Sequence, residues 1–349
     1  MTDKYGLAMF TRLLASPLVR VGLLLLVLGF CGFGIHAEWP QMRAAIGQLD
    51  WYSLVLSAAA AMAGGGCMML AWRAVLADLG SRLPARTAVR VNFLGQLAKY
   101  VPGAVWSVAV MVELGHDNEV PRRRSTTSVA IGLAIILAVG LAVAVVALPL
   151  ASSGFARHYL WVLAALPVIA VCLYPAILGR LVDRGLRLAR MQPLERMPTP
   201  RGLARAIGWT ALGWLFLGFQ VWVVLADVAR HAPDSFVLAL GAYALAFSAG
   251  MLLIVFPGGI GPRELILVAT LGAVVPHGAA VVVAVVARAA TTVSDLTWGA
   301  VALAAGRTGQ RLALRGHGRH RRPAAERGPL EPGLAEPGAV PEPAAATPS

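Results

Sequence analysis

Long uncharged apolar runs recur along the chain, and short arginine-bearing segments separate them. A membrane-spanning helix needs about 20 mainly apolar residues, and most of these runs reach that length. The pattern therefore predicts an all-α integral membrane protein. The runs cover 21–35, 51–72, 125–156, 159–179, 206–226, 235–262 and 265–306, the last interrupted by Arg288 and Asp295.

About eight transmembrane helices follow from these runs, because Pro276 and Gly278 divide the last of them. The seventh, 261–276, is short and is also compatible with a re-entrant half-helix. That alternative alone would place the basic tail on the external side, which counts against it, although the sequence does not decide between the two. The predicted spans are 18–37, 51–72, 126–149, 159–178, 206–226, 236–256, 261–276 and 279–305.

Orientation follows from the basic residues, which concentrate in cytoplasmic loops. The segments 73–90, 180–205 and 307–322 are rich in arginine, whereas Arg43 is the one arginine or lysine in the loop 36–50. We therefore expect both termini on the cytoplasmic side of the membrane.

One apolar stretch, 91–113, breaks the alternation. Arginines precede it at Arg86 and Arg90, and three more follow it at 122–124. A segment with both ends on the cytoplasmic side does not cross, so we predict that it is re-entrant or interfacial.

The domain organisation is simple. We predict a cytoplasmic N-terminal segment at 1–17, a transmembrane domain at 18–306 and a basic juxtamembrane segment at 307–322. Residues 323–349 are rich in Pro, Ala and Glu without periodicity, which is typical of disorder. We expect no soluble catalytic domain.

Composition agrees with a membrane protein. The chain is 58% hydrophobic and 13% charged, whereas soluble domains contain about 25% charged residues. The net charge of +13 is spread over short loops, so we expect no nucleic-acid partner. The three cysteines lie in apolar runs without metal-ligand spacing, and we expect no metal and no cofactor.

Two segments broken by Gly and Pro lie in the two halves of the chain, at 95–106 and 256–264. In transporters, interrupted apolar segments in corresponding halves indicate a binding site and suggest an inverted repeat. In the first segment the candidates are Lys99, Pro102, Gly103 and the following Glu113. For Lys99 the alternative is a side chain that reaches the membrane interface.

The second segment has the chemistry of an anion site. Gly258, Gly259 and Gly261 leave backbone amides accessible, Pro262 suits a first helical position, and Arg263 and Glu264 follow. Free amides at a helix N-terminus beside an arginine favour phosphate. The alternative is a tight turn between helices with an ordinary surface Arg–Glu pair.

Arg288, Thr292 and Asp295 lie on one stripe of the last helix, because their spacing is four and three residues. Intramembrane charges are costly and usually functional, although a purely structural pair remains the alternative. We expect Arg288 to pair with Glu264, and Asp295 with Arg263.

At these residues the sequence resembles the transmembrane, flippase-like domain of bacterial lysylphosphatidylglycerol synthases. The likeness rests on GQLAKYVPGAVW at 95–106, PGGIGPRE at 257–264 and the last helix up to Trp298-Gly299. In the bifunctional relatives this domain moves aminoacylated phosphatidylglycerol to the outer leaflet. A separate cytoplasmic domain makes that lipid, and nothing similar to it occurs in this sequence, so the resemblance does not imply synthase activity.

The leading hypothesis is therefore a flippase or transporter of a phospholipid or a phosphate-linked glycolipid, with membrane lipids as partners. The resemblance implies the inner or plasma membrane of a bacterium as its location. A separate lipid-modifying enzyme or glycosyltransferase is a further possible partner. The alternatives are a non-transporting scaffold of an envelope lipid or glycan synthesis complex and a membrane-embedded glycosyltransferase. The sequence has no DxD or DDxxD motif for metal-bound phosphate chemistry, which disfavours the enzyme, and we expect no catalytic residues.

Overall fold

The computed structural model of the chain describes residues 39–100, 106–151, 163–188, 198–229, 235–252 and 261–319, and for 306–319 it describes the backbone helix alone. The described residues form helices and contain no strand, which confirms the predicted all-α class. The helices are α1 (39–46), α2 (Trp51–Asp78), α3 (Ala85–Leu97), α4 (Trp106–His116), α5 (Arg122–Ala151), α6 (Ala165–Cys172), α7 (Pro175–Leu188), α8 (Pro200–Val228), α9 (Ser235–Leu252), α10 (Pro262–Leu271) and α11 (His277–Arg319).

The antiparallel pair of α2 and α8 forms the centre of the bundle. Asp78, at the end of α2, accepts hydrogen bonds of 2.6 Å from both the backbone N–H and the hydroxyl of Thr199, the N-cap of α8. At the other end, the backbone N–H of Asp50 donates to Asp227 Oδ2 at 3.1 Å. These contacts define two ends of the bundle, called here the Asp78 end and the Asp227 end.

The other long helices can be placed against these two ends. Arg124, in the first turn of α5, reaches the Ser81 hydroxyl at 3.4 Å, so α5 begins at the Asp78 end. Gln41 of α1 accepts a hydrogen bond of 3.1 Å from the Gly278 N–H, so α11 begins at the Asp227 end. Both α5 and α8 begin at the Asp78 end. The chain between the end of α5 and the start of α8 therefore returns to that end.

Helices α3 and α4 pack side by side as a first hairpin (85–116). The Ser107 hydroxyl donates to the Gly95 carbonyl at 2.8 Å, and a Cβ on Gly95 would clash with Met111 Cγ. The hairpin follows the loop after α2 and ends beside the start of α5, so it begins and ends at the Asp78 end. Neither helix has the length of a span, and the re-entrant or interfacial placement of 91–113 stays a prediction.

Helices α9 and α10 form a second hairpin (235–271) that begins and ends at the Asp227 end. A Cβ on Gly250 would lie 3.0 Å from the Cβ of Arg263, so the two helices are in contact. The ten residues of α10 rise only about 15 Å, roughly half of the hydrocarbon core. This length fits the re-entrant alternative for 261–276 better than a full crossing.

The structure does not confirm eight spans. Among the described residues four helices are long and apolar enough to cross a membrane, namely α2, α5, α8 and residues His277–Ala305 of α11. The pair α6–α7 makes a fifth if it is one span, but it bends by 78°. The predicted span 18–37 lies outside the described residues, as does the tail 323–349.

Residues 1–306 and 307–349 form separate compact units. The described part of the second unit, 307–319, is helical.

Candidate functional site

The two hairpins meet α11 through ion pairs. Lys99 Nζ, next to the end of the first hairpin's helix α3, lies 2.6 Å from Asp295 Oδ2, and the Tyr100 hydroxyl donates to the same oxygen at 2.8 Å. Arg288 Nη1 lies 3.5 Å from Oε1 of Glu264, at the start of α10. Hairpins from opposite ends of the bundle therefore contact one helix about 10 Å apart along its axis, given a rise of 1.5 Å per residue.

The predicted pair of Arg288 with Glu264 is present, whereas the predicted pair of Asp295 with Arg263 is wrong. Asp295 binds Lys99 instead. The Arg263 guanidinium lies over the Tyr243 ring at 4.7 Å and the Phe247 ring at 5.0 Å, and it donates a hydrogen bond to the Tyr243 hydroxyl. The sequence could not show that the partner of Asp295 comes from the other half of the chain.

Gly261 and Glu264 form the N-terminal cap of α10. Gly261 has φ +100°, a left-handed conformation that side chains disfavour. Its N–H donates to Glu264 Oε2 at 2.8 Å, while Glu264 Oε1 faces Arg288. The Gly261 amide is therefore occupied by Glu264 and is not free for an anion, contrary to the sequence-based expectation. Gly258 and Gly259 lie outside the described residues, as do Pro102 and Gly103 of the first segment.

The two hairpins and α11 thus bring together a charged cluster, which consists of Lys99, Arg263, Glu264, Arg288 and Asp295. Glu113 is separate from this cluster. It lies on α4, where it pairs with Arg122 at 2.9 Å, and about 60% of both side chains is exposed. Hydrogen bonds from Arg122 hold the pKa of Glu113 below its usual value. Thr292 does lie on α11 between the two ion pairs, where its hydroxyl donates to the Arg288 carbonyl at 2.9 Å.

Two buried polar residues that the sequence analysis missed, Gln220 and Tyr243, form hydrogen bonds that lead to Arg263. Gln220 of α8 is fully buried and donates to the Ala287 carbonyl at 3.2 Å and to the Tyr243 hydroxyl at 3.5 Å. Its side-chain oxygen has no hydrogen-bond partner among the described residues. A glutamine and a tyrosine inside otherwise apolar runs are the signal that was available in the sequence.

Trp298 and Gly299 fix the first hairpin against α11. The Trp298 ring stacks on Phe93 at 4.4 Å, and its N–H donates to the Met62 carbonyl at 3.0 Å. A Cβ on Gly299 would lie 2.6 Å from Leu97, so the glycine permits close approach of the helix that leads to Lys99.

The charges in the cluster do not balance. Among the described residues it contains the three cations Lys99, Arg263 and Arg288 and two carboxylates, Glu264 and Asp295. Each carboxylate has a cationic partner, and the described contacts of Arg263 are with neutral groups. The excess positive charge therefore lies at Arg263, beside buried hydrogen-bonding groups.

The sequence model of the family described as "Lysylphosphatidylglycerol synthase TM region" matches residues 12–299. The match includes both hairpins and the part of α11 that carries Arg288 and Asp295. None of the curated proteins compared with the chain matches it.

Proposed function

Because the chain belongs to the Lysylphosphatidylglycerol synthase TM region family and is a multi-pass membrane protein related to lipid handling, we propose that it moves lipid between membrane leaflets. The cargo is a phospholipid or a phosphate-linked glycolipid of a bacterial cytoplasmic membrane. The observation that carries this proposal is the contact of two opposed hairpins with Arg288 and Asp295 of one helix.

Arg263 is the residue proposed to bind the phosphate. An intramembrane cation whose described side-chain contacts are with neutral groups is costly, and a bound anionic headgroup would lower that cost. Guanidinium suits phosphate because it donates several hydrogen bonds in a fixed plane. The amides of Gly258 and Gly259 remain candidates for the same role.

Glu264 and Asp295 are proposed to bind cationic or hydroxyl parts of the headgroup once a hairpin moves away from α11. In the arrangement described here, Arg288 pairs with Glu264 and Lys99 pairs with Asp295. Breaking one ion pair at a time would expose the headgroup path to one side of the membrane, as alternating access around broken helices requires. The sequence has no G-x-x-x-x-G-K-[ST] motif, so the proposed movement is passive or driven by a gradient.

The proposed topology has six crossings and two re-entrant hairpins, with both termini cytoplasmic and the Asp78 end on the cytoplasmic side. A re-entrant α10 alone would move the basic tail outside. When α9 and α10 turn back together, the number of crossings stays even, and the tail remains with the other arginine-rich segments. We propose no enzymatic activity and no cofactor for the chain, and a separate lipid-modifying enzyme as a partner.

Reconstitution tests this function. Vesicles would contain the purified protein and a trace of fluorescent phosphatidylglycerol, and a membrane-impermeant reductant would bleach the outer-leaflet label. We expect bleaching to continue into the inner-leaflet pool, faster than with an unrelated helical membrane protein at the same density. Bleaching that stops at the outer leaflet would reject transport of this lipid class and favour a scaffold.

A further inference from the structure

Helix α7 is oriented differently from the spans. It follows α6 across a bend of 78°, and Pro175 begins it, since a proline is well tolerated in a first helical turn. Leu178, Val182 and Leu186 belong to the buried core of the bundle, so one face of α7 packs against it. The chain continues from Leu188 to Pro200, where α8 begins at the Asp78 end.

The rest of the α7 surface is divided into two stripes. Arg180, Arg184 and Arg187, spaced by four and three residues, are exposed. Arg187 makes an ion pair of 2.8 Å with Asp183, which leaves Arg180 and Arg184 as the exposed basic pair one turn apart.

The second stripe is apolar and lies between the basic stripe and the buried face. It contains Ile177, Leu181 and Leu188, spaced by four and seven residues, and the last two are 45% and 89% exposed. Exposure of this stripe to water would be unfavourable, because the apolar surface of each leucine would remain unburied.

We propose that α7 lies along the cytoplasmic surface of the membrane and binds anionic lipid headgroups. Arginines beside large apolar residues are typical of helices in the interface plane, where the apolar side reaches the acyl chains. The basic stripe complements the negative charge of the cytoplasmic leaflet. This surface is separate from the cluster on α11, and the inference does not depend on what the protein transports.

Collisional quenching locates the apolar stripe. Cys31, Cys67 and Cys172 would be replaced by alanine in the full chain, and a fluorophore placed at Leu181→Cys or Ala176→Cys in phosphatidylcholine vesicles. Ala176 is exposed and lies on the basic side. We expect brominated lipid to quench the label at 181 and aqueous iodide to quench the label at 176. Equal iodide quenching at both positions would show that α7 faces water.

Lipid selectivity tests the basic stripe. Brominated phosphatidylglycerol should quench the label at 181 at least twofold more than brominated phosphatidylcholine at the same mole fraction. R180Q/R184Q should remove this difference, whereas R201Q/R205Q, an exposed pair with the same spacing on α8, should keep it. An equal effect of both double variants, or no lipid preference in the parent protein, would overturn the proposal.

Discussion

The ion pair of Lys99 and Asp295 is more shielded from solvent than the ion pair of Arg122 and Glu113. About 33% and 16% of their side chains are exposed, against 58% and 60% for Arg122 and Glu113. Exposed pairs contribute little to stability, whereas a lone charge within a membrane protein is costly. The two pairs should therefore respond differently to neutralisation.

Replacing Lys99 or Asp295 singly by leucine should destabilise the folded protein by about 2 kcal/mol, since each change leaves one partly shielded charge without its partner. The double variant K99L/D295L should recover most of that loss. Unfolding in detergent measures the effect, with E113L and R122L as controls that should change stability little. A double variant no more stable than either single variant would mean that the charges do not stabilise each other.

The sequence revealed the charged residues more readily than their pairing. Glu264 lies near Arg288 in the chain and could be paired with it, but Lys99 is distant in sequence from Asp295. Two hairpins have to be folded against α11 before that contact exists. The ring contacts of Arg263 have the same origin, because Tyr243 and Phe247 become neighbours of Arg263 only when α9 and α10 pack together.

At the scale of elements, the junction of α5, α8 and α9 depends on Gly140. A Cβ at this position would lie 2.5 Å from the Trp214 ring and 2.7 Å from the Ser248 hydroxyl, and both residues are fully buried. The helices are therefore closer here than any side chain on residue 140 would allow.

Gly140→Ala should destabilise the protein by roughly 1–3 kcal/mol, the usual effect of overpacking a core. Gly132→Ala on the same helix is the matched control, because the nearest atom to its new Cβ would be 4.0 Å away. The midpoint of thermal unfolding in detergent compares the two variants. If Gly140→Ala matched Gly132→Ala, the three helices would have to be less closely packed than described.

Element lengths and bends were predicted unevenly. Charge on both sides of 91–113 led to the prediction of a segment that does not cross, and the described helices there are shorter than a span. The bend before α7 was missed because hydropathy continues smoothly to 178, although Pro175 marks the new helix. Residues 236–256 and 261–276 were predicted as two spans because the apolar run 235–262 has the length of one full crossing, whereas the described helices α9 and α10 have 18 and 10 residues.

At the scale of the whole molecule, the first hairpin should be accessible only from the cytoplasm. Asp117, just after α4, is exposed, as is Gln48 between α1 and α2. In intact cells an impermeant thiol reagent should label Gln48→Cys and miss Asp117→Cys until the membrane is opened. External labelling at position 117 would reverse or abolish the proposed orientation.

The central claim is that the charged groups of the two hairpins and α11 form the path of the lipid headgroup. Scrambling of fluorescent phosphatidylglycerol by folded double variants tests it most directly, because each double variant removes charges without leaving one of them unpaired. E264L/R288L and K99L/D295L should move lipid about tenfold more slowly or worse, while E113L/R122L should keep the parental rate. Parental scrambling by both well-folded cluster variants would contradict the claim and reduce the two ion pairs to structural contacts.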